Sequence, residues 1–152
     1  MKKVLIAIDY SPAAEKVAKA GYEIAKAQQA DVKLVHAVGE SLYYAMDYSP
    51  IMGYTGTFAP GGKKVVEDLK KEAGEFLKSA ARHLGNKNIG TTVLEGETSE
   101  AILDYSNEWK ADLIVLGSHS PQGLDKLFGT DIAHYLIKNS KVPVLTVPTE
   151  EK

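Results

Sequence analysis

Residues 111–144 read ADLIVLGSHSPQGLDKLFGTDIAHYLIKNSKVPV. An uninterrupted apolar run, Leu113 to Leu116, stops at Gly117, and a polar loop leads to Gly129-Thr130. There an amphipathic stretch begins, with Ile132, Tyr135 and Leu136 on one side, and a second apolar run follows from Val142 to Val147. The pattern is strand, Gly-rich loop, helix, strand. Such a junction leaves the first backbone N–H groups of the helix unpaired at the carboxyl edge of a sheet, a ready site for an anion such as phosphate.

The rest of the chain reads as the scaffold for this loop. Val4 to Ile8 is a continuous apolar run, as expected for a central strand buried on both faces of a parallel sheet. Asp9-Tyr10-Ser11-Pro12 ends it, with Ser11 a suitable N-cap and Pro12 a suitable first residue for a helix that runs to about Gln29. Its inner face carries Ala13, Val17, Ala20, Ile24 and Ala27. Val32–Val38 is the second strand. Val66, Leu69, Ala73, Phe76, Leu77, Ala80 and Leu84 recur at helical spacing until Gly85 and Asn86, and Ile89–Leu94 is the third strand. Thr98 or Ser99 caps a helix facing inward through Ile102, Tyr105 and Trp109. Leu113–Leu116 and Val142–Val147 are strands four and five.

Strand and helix alternate throughout, which predicts an α/β fold: one open, five-stranded parallel sheet with helices on both faces. A strand order of 3-2-1-4-5 would set the end of strand one, at Asp9, against the end of strand four, at Gly117. Ligands of open α/β sheets sit at such a reversal. Asp9 can accept hydrogen bonds from ribose hydroxyls or an adenine amine, and Gly117 lets the backbone approach a sugar closely. The plainer reading of Asp9 is a residue that merely starts the helix turn.

Composition narrows the function classes. The chain has 152 residues, 44% hydrophobic and 25% charged, which suits a single globular domain. With 18 basic and 20 acidic residues its formal charge is −2, so it lacks the basic field that nucleic acid or an anionic membrane would need. It has no cysteine, which excludes disulfides and thiolate metal sites. The N-terminal apolar run is too short for a signal peptide and no stretch approaches about 20 apolar residues, so a cytoplasmic location is expected. His36, His83, His119 and His134 have no mutual metal-ligand spacing, so no metal is expected to be held by the protein alone. Ser118 and Ser120 flank His119 without a nucleophile-elbow pattern and read as a phosphate loop rather than a catalytic pair. Residues Gly39–Gly62, with Tyr43, Tyr44, Tyr48, Tyr54 and Phe58, read equally as a lid that stacks on a base or as a self-packed insertion.

The stretches KKVLIAIDYSPAAEKVAKAGYEIA, ADLIVLGSH and GTDIAHYLIKNSKVPVLTVP together resemble the universal stress protein family of bacteria and archaea over essentially the whole length. Nucleotide-binding members show Gly, two residues, Gly, nine residues, then Gly followed by Ser or Thr. Here Gly117 and Gly129-Thr130 hold the outer positions, Ser120 replaces the second glycine, and the intervening run Pro121–Phe128 is one residue shorter. This is similar to a subgroup with a polar residue and then proline at that place and a shorter loop, which also binds adenine nucleotides.

The resemblance implies a Rossmann-like, adenine nucleotide alpha hydrolase-like domain and a dimer that binds ATP or AMP in a stress response. It implies that Asp9 contacts the adenosine, that Ala7 and Ala37 meet the base through their main chains, and that Leu116 and Gly117 lie along the ribose. It places His119, Ser120, Gly129, Thr130 and Asp131 around the phosphates. It also implies a homodimer through Val142–Val147, with a further protein partner whose identity the sequence does not carry. An apolar edge strand left bare would be an aggregation hazard, so a partner there is physically sensible.

Two further function classes stand beside this one: a protein of the same fold that has lost nucleotide and serves as an interaction module, and a slow ATPase. The chain has no G-x-x-x-x-G-K-S/T loop and no lysine after Gly129, so the usual charge clamp of phosphoryl transfer is missing. Asp131 adds a constraint. At an effective dielectric near 20, a carboxylate about 6 Å from a phosphate charge costs on the order of 2–3 kcal/mol, more than the helix dipole returns. Mg²⁺ bridging Asp131 and ATP, or a preference for AMP, would relieve that repulsion.

Overall fold

The computed structural model describes residues 1–38, 63–118 and 132–149. Its strands are β1 (Lys3–Ala7), β2 (Asp31–Val38), β3 (Gly90–Glu95), β4 (Leu113–Gly117) and β5 (Val144–Val147). They form one parallel sheet in the order β3-β2-β1-β4-β5, as predicted. Among the described residues the helices are α1 (Ala14–Ala27), α2 (Lys63–Leu84), α3 (Thr98–Trp109) and α4 (Ile132–Asn139).

The apolar runs divide between the two faces by the period of two that a strand imposes. Val4 and Ile6 of β1, Leu34 of β2 and Val115 of β4 pack under α1 and α2, whereas Leu5, Val35, Ile114 and Leu116 pack under α3 and α4. Val4, Leu5, Ile6, Val35, Ile114 and Val115 are all fully enclosed, each contributing roughly 1.5–3 kcal/mol by burial. The amino edge is tied by Asp112, whose carboxylate accepts from the backbone N–H groups of Lys2 (2.8 Å) and Lys3 (2.9 Å). Those two bonds hold its carboxyl below the usual carboxylate range.

Three local predictions are corrected. Ser11 does not cap α1; its N–H is taken by the Asp9 carboxylate (2.9 Å) in a turn, its carbonyl accepts from Ala14, and the helix begins only at Ala14 with Ala13 at the cap position. Neither Thr98 nor Ser99 caps α3. Glu97 does, its carboxylate accepting from the N–H groups of Ser99 (3.2 Å) and Glu100 (2.8 Å), while the Ser99 hydroxyl donates to it. Burial pushes the Glu97 carboxyl up, but these hydrogen bonds outweigh burial and hold it below the usual range. β5 starts at Val144 rather than Val142, because Val142 is closed in a turn with Ser140 and Pro143 has no N–H to give a ladder. The predicted stop at Gly85 holds, with a φ of 80°.

α1 lies so close to the sheet that a Cβ on Gly21 would stand 2.7 Å from Ile6 Cδ1 and 3.3 Å from Val115 Cγ1. Both neighbours are fully buried and cannot swing away. Gly21→Val should therefore destabilise the fold by about 1–3 kcal/mol through overpacking. Denaturant unfolding would read this directly, and a variant as stable as the parent would show that α1 rides higher on the sheet than described.

Candidate functional site

The crossover through α1 leaves β1 on one face of the sheet, and α3 enters β4 from the other. α1, which follows β1, and α4, which comes after β4 in sequence, thus pack on opposite faces of the sheet, and in open α/β sheets a ligand site sits at the carboxyl edge where the crossovers part in this way. Ala7, half-buried, ends β1 and Gly117, half-buried, ends β4. Leu116 and Ala37 are buried on the α3/α4 side, where Ala7 also packs. Asp9 is exposed just beyond β1, its carboxylate steadied by the Ser11 N–H. Ser118 is held by donating its N–H to Val147 (2.9 Å).

Five of the residues picked out from sequence, Ala7, Asp9, Ala37, Leu116 and Gly117, thus stand on three adjacent strand ends of one sheet edge. The other five, His119, Ser120, Gly129, Thr130 and Asp131, lie outside the described residues, as does the Tyr-rich segment 39–62. α4 follows that loop and packs on α3 and β5, so the strand and the helix that bracket the loop are where the sequence placed them.

His36, by sequence no more than a residue of the second strand, sits at this edge on the α1/α2 side. Its imidazole is buried, its Nδ1 is 2.8 Å from the Ile8 carbonyl oxygen, and its ring lies 4.6 Å from that of Tyr10. Tyr10 in turn meets Phe76 of α2 at 4.7 Å. A carbonyl only accepts, so Nδ1 carries the proton. Nε2 has no partner among the described residues. Burial pushes the His36 pKa below its ordinary value, against the opposing pull of the Ile8 bond and the Asp9 carboxylate. Burial raises that of the Tyr10 phenol, and Glu72 adds to the rise. The signal that could have found His36 is a lone imidazole inside a continuous apolar strand.

A groove of about 230 Å³ runs between α1 and α2, lined by Ala14, Ala18, Phe76 and Ala80. It lies on the face opposite Ala37 and Leu116, and Glu15, Ser79 and His83 also line it, with Glu15 and His83 2.9 Å apart. Among the described residues no three His, Cys, Asp or Glu side chains are grouped to hold a metal, and no helix is long and apolar enough to cross a membrane.

The sequence profile of the universal stress protein family matches residues 1–148. The chain belongs to that family. It is 33% identical to a universal stress protein of Methanocaldococcus jannaschii, with 99% of this chain and 84% of that one aligned. A universal stress protein of Bacillus subtilis is 29% identical, with 95% and 97% covered. Among solved structures, a universal stress protein in complex with cAMP superposes with a TM-score of 0.67 at 20% identity, covering 98% of each chain. The Archaeoglobus fulgidus universal stress protein in complex with dAMP gives 0.59 at 20% identity, covering 96% and 97%. These likenesses establish the shared fold.

His36 gives this universal stress protein a pH dependence whose sign is fixed. The unfolded chain takes up a proton at His36 near pH 6.5, the folded chain only at lower pH. Its contribution to stability is therefore complete above pH 6.5 and is lost as the pH falls from there toward the folded value. His36→Leu should flatten part of the slope of unfolding free energy against pH below about 6.5. Equal slopes in variant and parent would mean that the imidazole is open to protonation in the fold.

Proposed function

We propose that this universal stress protein binds an adenine nucleotide, ATP or AMP, in the crevice between the ends of β1 and β4, and that binding regulates what its surface recognises. The observation that carries the reading is the pairing of an exposed, pre-set carboxylate, Asp9, with the Gly117 end of the neighbouring strand at the sheet's reversal point. Asp9 accepts from the ribose or the adenine amine, the Ala7 and Ala37 backbones border the base, and Leu116 and Gly117 leave room for the sugar. Solved relatives described in complex with cAMP, dAMP and AMP support the ligand class. In this reading His119, Ser120, Gly129 and Thr130 receive the phosphates, and Asp131 either shares Mg²⁺ with ATP or biases the site toward AMP. The half-buried Val144, Leu145 and Thr146 of β5 lie at the sheet's open edge and pair two copies into a homodimer. The cytoplasm, where such nucleotides abound, is the matching compartment.

Native mass spectrometry of the purified protein should show twice the 16.5 kDa chain mass with adenine nucleotide retained. Asp9→Ala should weaken AMP binding by at least about tenfold in calorimetry, since hydrogen bonds to a charged acceptor are worth about 1.5–3 kcal/mol. A nucleotide-free protein with no calorimetric AMP response would leave the interaction module as the function.

A further inference from the structure

The exit of β1 carries the one carboxylate on which the proposed ligand contact depends, and the chain fastens both of its neighbours. Ile8 donates its N–H to the Val35 carbonyl (3.0 Å) and receives the His36 Nδ1–H at its own carbonyl (2.8 Å). Tyr10 lays its ring against the same imidazole, 4.6 Å between centroids at a tilt of 57°. Phe76 packs on Tyr10 at 4.7 Å and stands edge-on to the same imidazole at 6.1 Å. The ring is thus fixed by a hydrogen bond and two aromatic contacts, although a buried imidazole is an expensive choice inside a strand whose neighbours are Val35 and Ala37.

That cost calls for a return, and among the described residues the one side-chain hydrogen bond of His36 goes to the peptide that joins Ile8 to Asp9. An apolar side chain would fill the same space at lower desolvation cost but would leave the Ile8 carbonyl without this donor. Asp9 itself spends one oxygen on the Ser11 N–H, so its direction is set by the peptide before it and the turn after it.

We infer that His36 is a positioning residue for nucleotide binding: its Nδ1–H clamps the Ile8–Asp9 peptide and, with Tyr10 seated on its ring, aims the Asp9 carboxylate into the crevice. The inference rests on the reading of Asp9 as a nucleotide contact. The clamp is a single donor at a single place on the ring, which separates it from mere packing. Asparagine carries an amide N–H close to where Nδ1 lies, whereas glutamine carries its amide near Nε2.

The test compares the wild type with His36→Asn, His36→Gln and His36→Leu. AMP affinity is measured by calorimetry, and hydrogen exchange of the Ser11 amide is measured by NMR in the absence of ligand. The Gln and Leu variants should bind AMP about tenfold more weakly, the value of one lost positioning hydrogen bond, while Asn stays close to the wild type. The Ser11 amide should exchange faster in the Gln and Leu variants than in the Asn variant. A leucine variant that fails to fold leaves the Asn and Gln pair to decide. Equal Ser11 exchange in that pair overturns the assignment whatever the affinities, and so does equal AMP affinity in a wild type that binds. If the wild type binds no AMP the nucleotide reading falls alone, and the Ser11 exchange still decides the clamp.

Discussion

β1 is hydrogen-bonded along both edges, to β2 through Lys3–Ala7 and to β4 through Val4–Ile6, and is sheathed by helices on both faces. Where a strand has no solvent side it has to be apolar, which is why the middle of β1 is Val4, Leu5 and Ile6, all fully buried. The same constraint sets the topology. With both neighbouring places taken, the chain can extend the sheet only outward, to β3 beyond β2 and to β5 beyond β4. Right-handed crossovers then send α1 and α2 over one face and α3 and α4 over the other.

The proposed ligand edge follows from that division. The carboxyl ends of β1, β2 and β4 meet at one edge, and small residues stand there: Ala7, Ala37 and Gly117. Directly behind them the apolar core ends in a buried imidazole rather than another aliphatic side chain. His36, Tyr10 and Phe76 join α2 to the exit of β1, so the geometry of Asp9 depends on packing between a helix and two strands and not on its own loop alone. At the opposite edge, Asp112 fixes the strand starts through the backbone of Lys2 and Lys3. One end of the sheet is thereby closed by protein hydrogen bonds, while the other keeps an exposed carboxylate available to a ligand.

Sequence made the strands legible because burial on two faces writes a run that no surface element copies: VLIAI, LIVL and the valine-rich second strand each declare themselves. Alternation of strand and helix implies a parallel sheet but leaves its strand order open; 3-2-1-4-5 enters as an expectation, and the strand pairing bears it out. Helix starts were less legible. Ser11, Thr98 and Ser99 all have capping side chains, but the Asp9 carboxylate draws the Ser11 N–H into a turn ahead of the helix, and the Glu97 carboxylate takes the Ser99 and Glu100 N–H groups at the start of α3. The charged acceptor makes the stronger bond. His36 escaped for a different reason. Its partner Ile8 is 28 residues away in sequence, and only the β1–β2 register brings the two together.

The placement of the ligand at the carboxyl edge is tested most directly by backbone amide shifts in NMR spectra recorded while AMP is added. Binding between β1 and β4 should move the amides of Ala7 to Ser11, Ala37 and Val38, and Gly117 and Ser118, and leave Lys2, Lys3 and Asp112 at the far edge unmoved. Saturable shifts confined to the α1/α2 groove around Ala14 and Ala80, or to the amino edge, would contradict it.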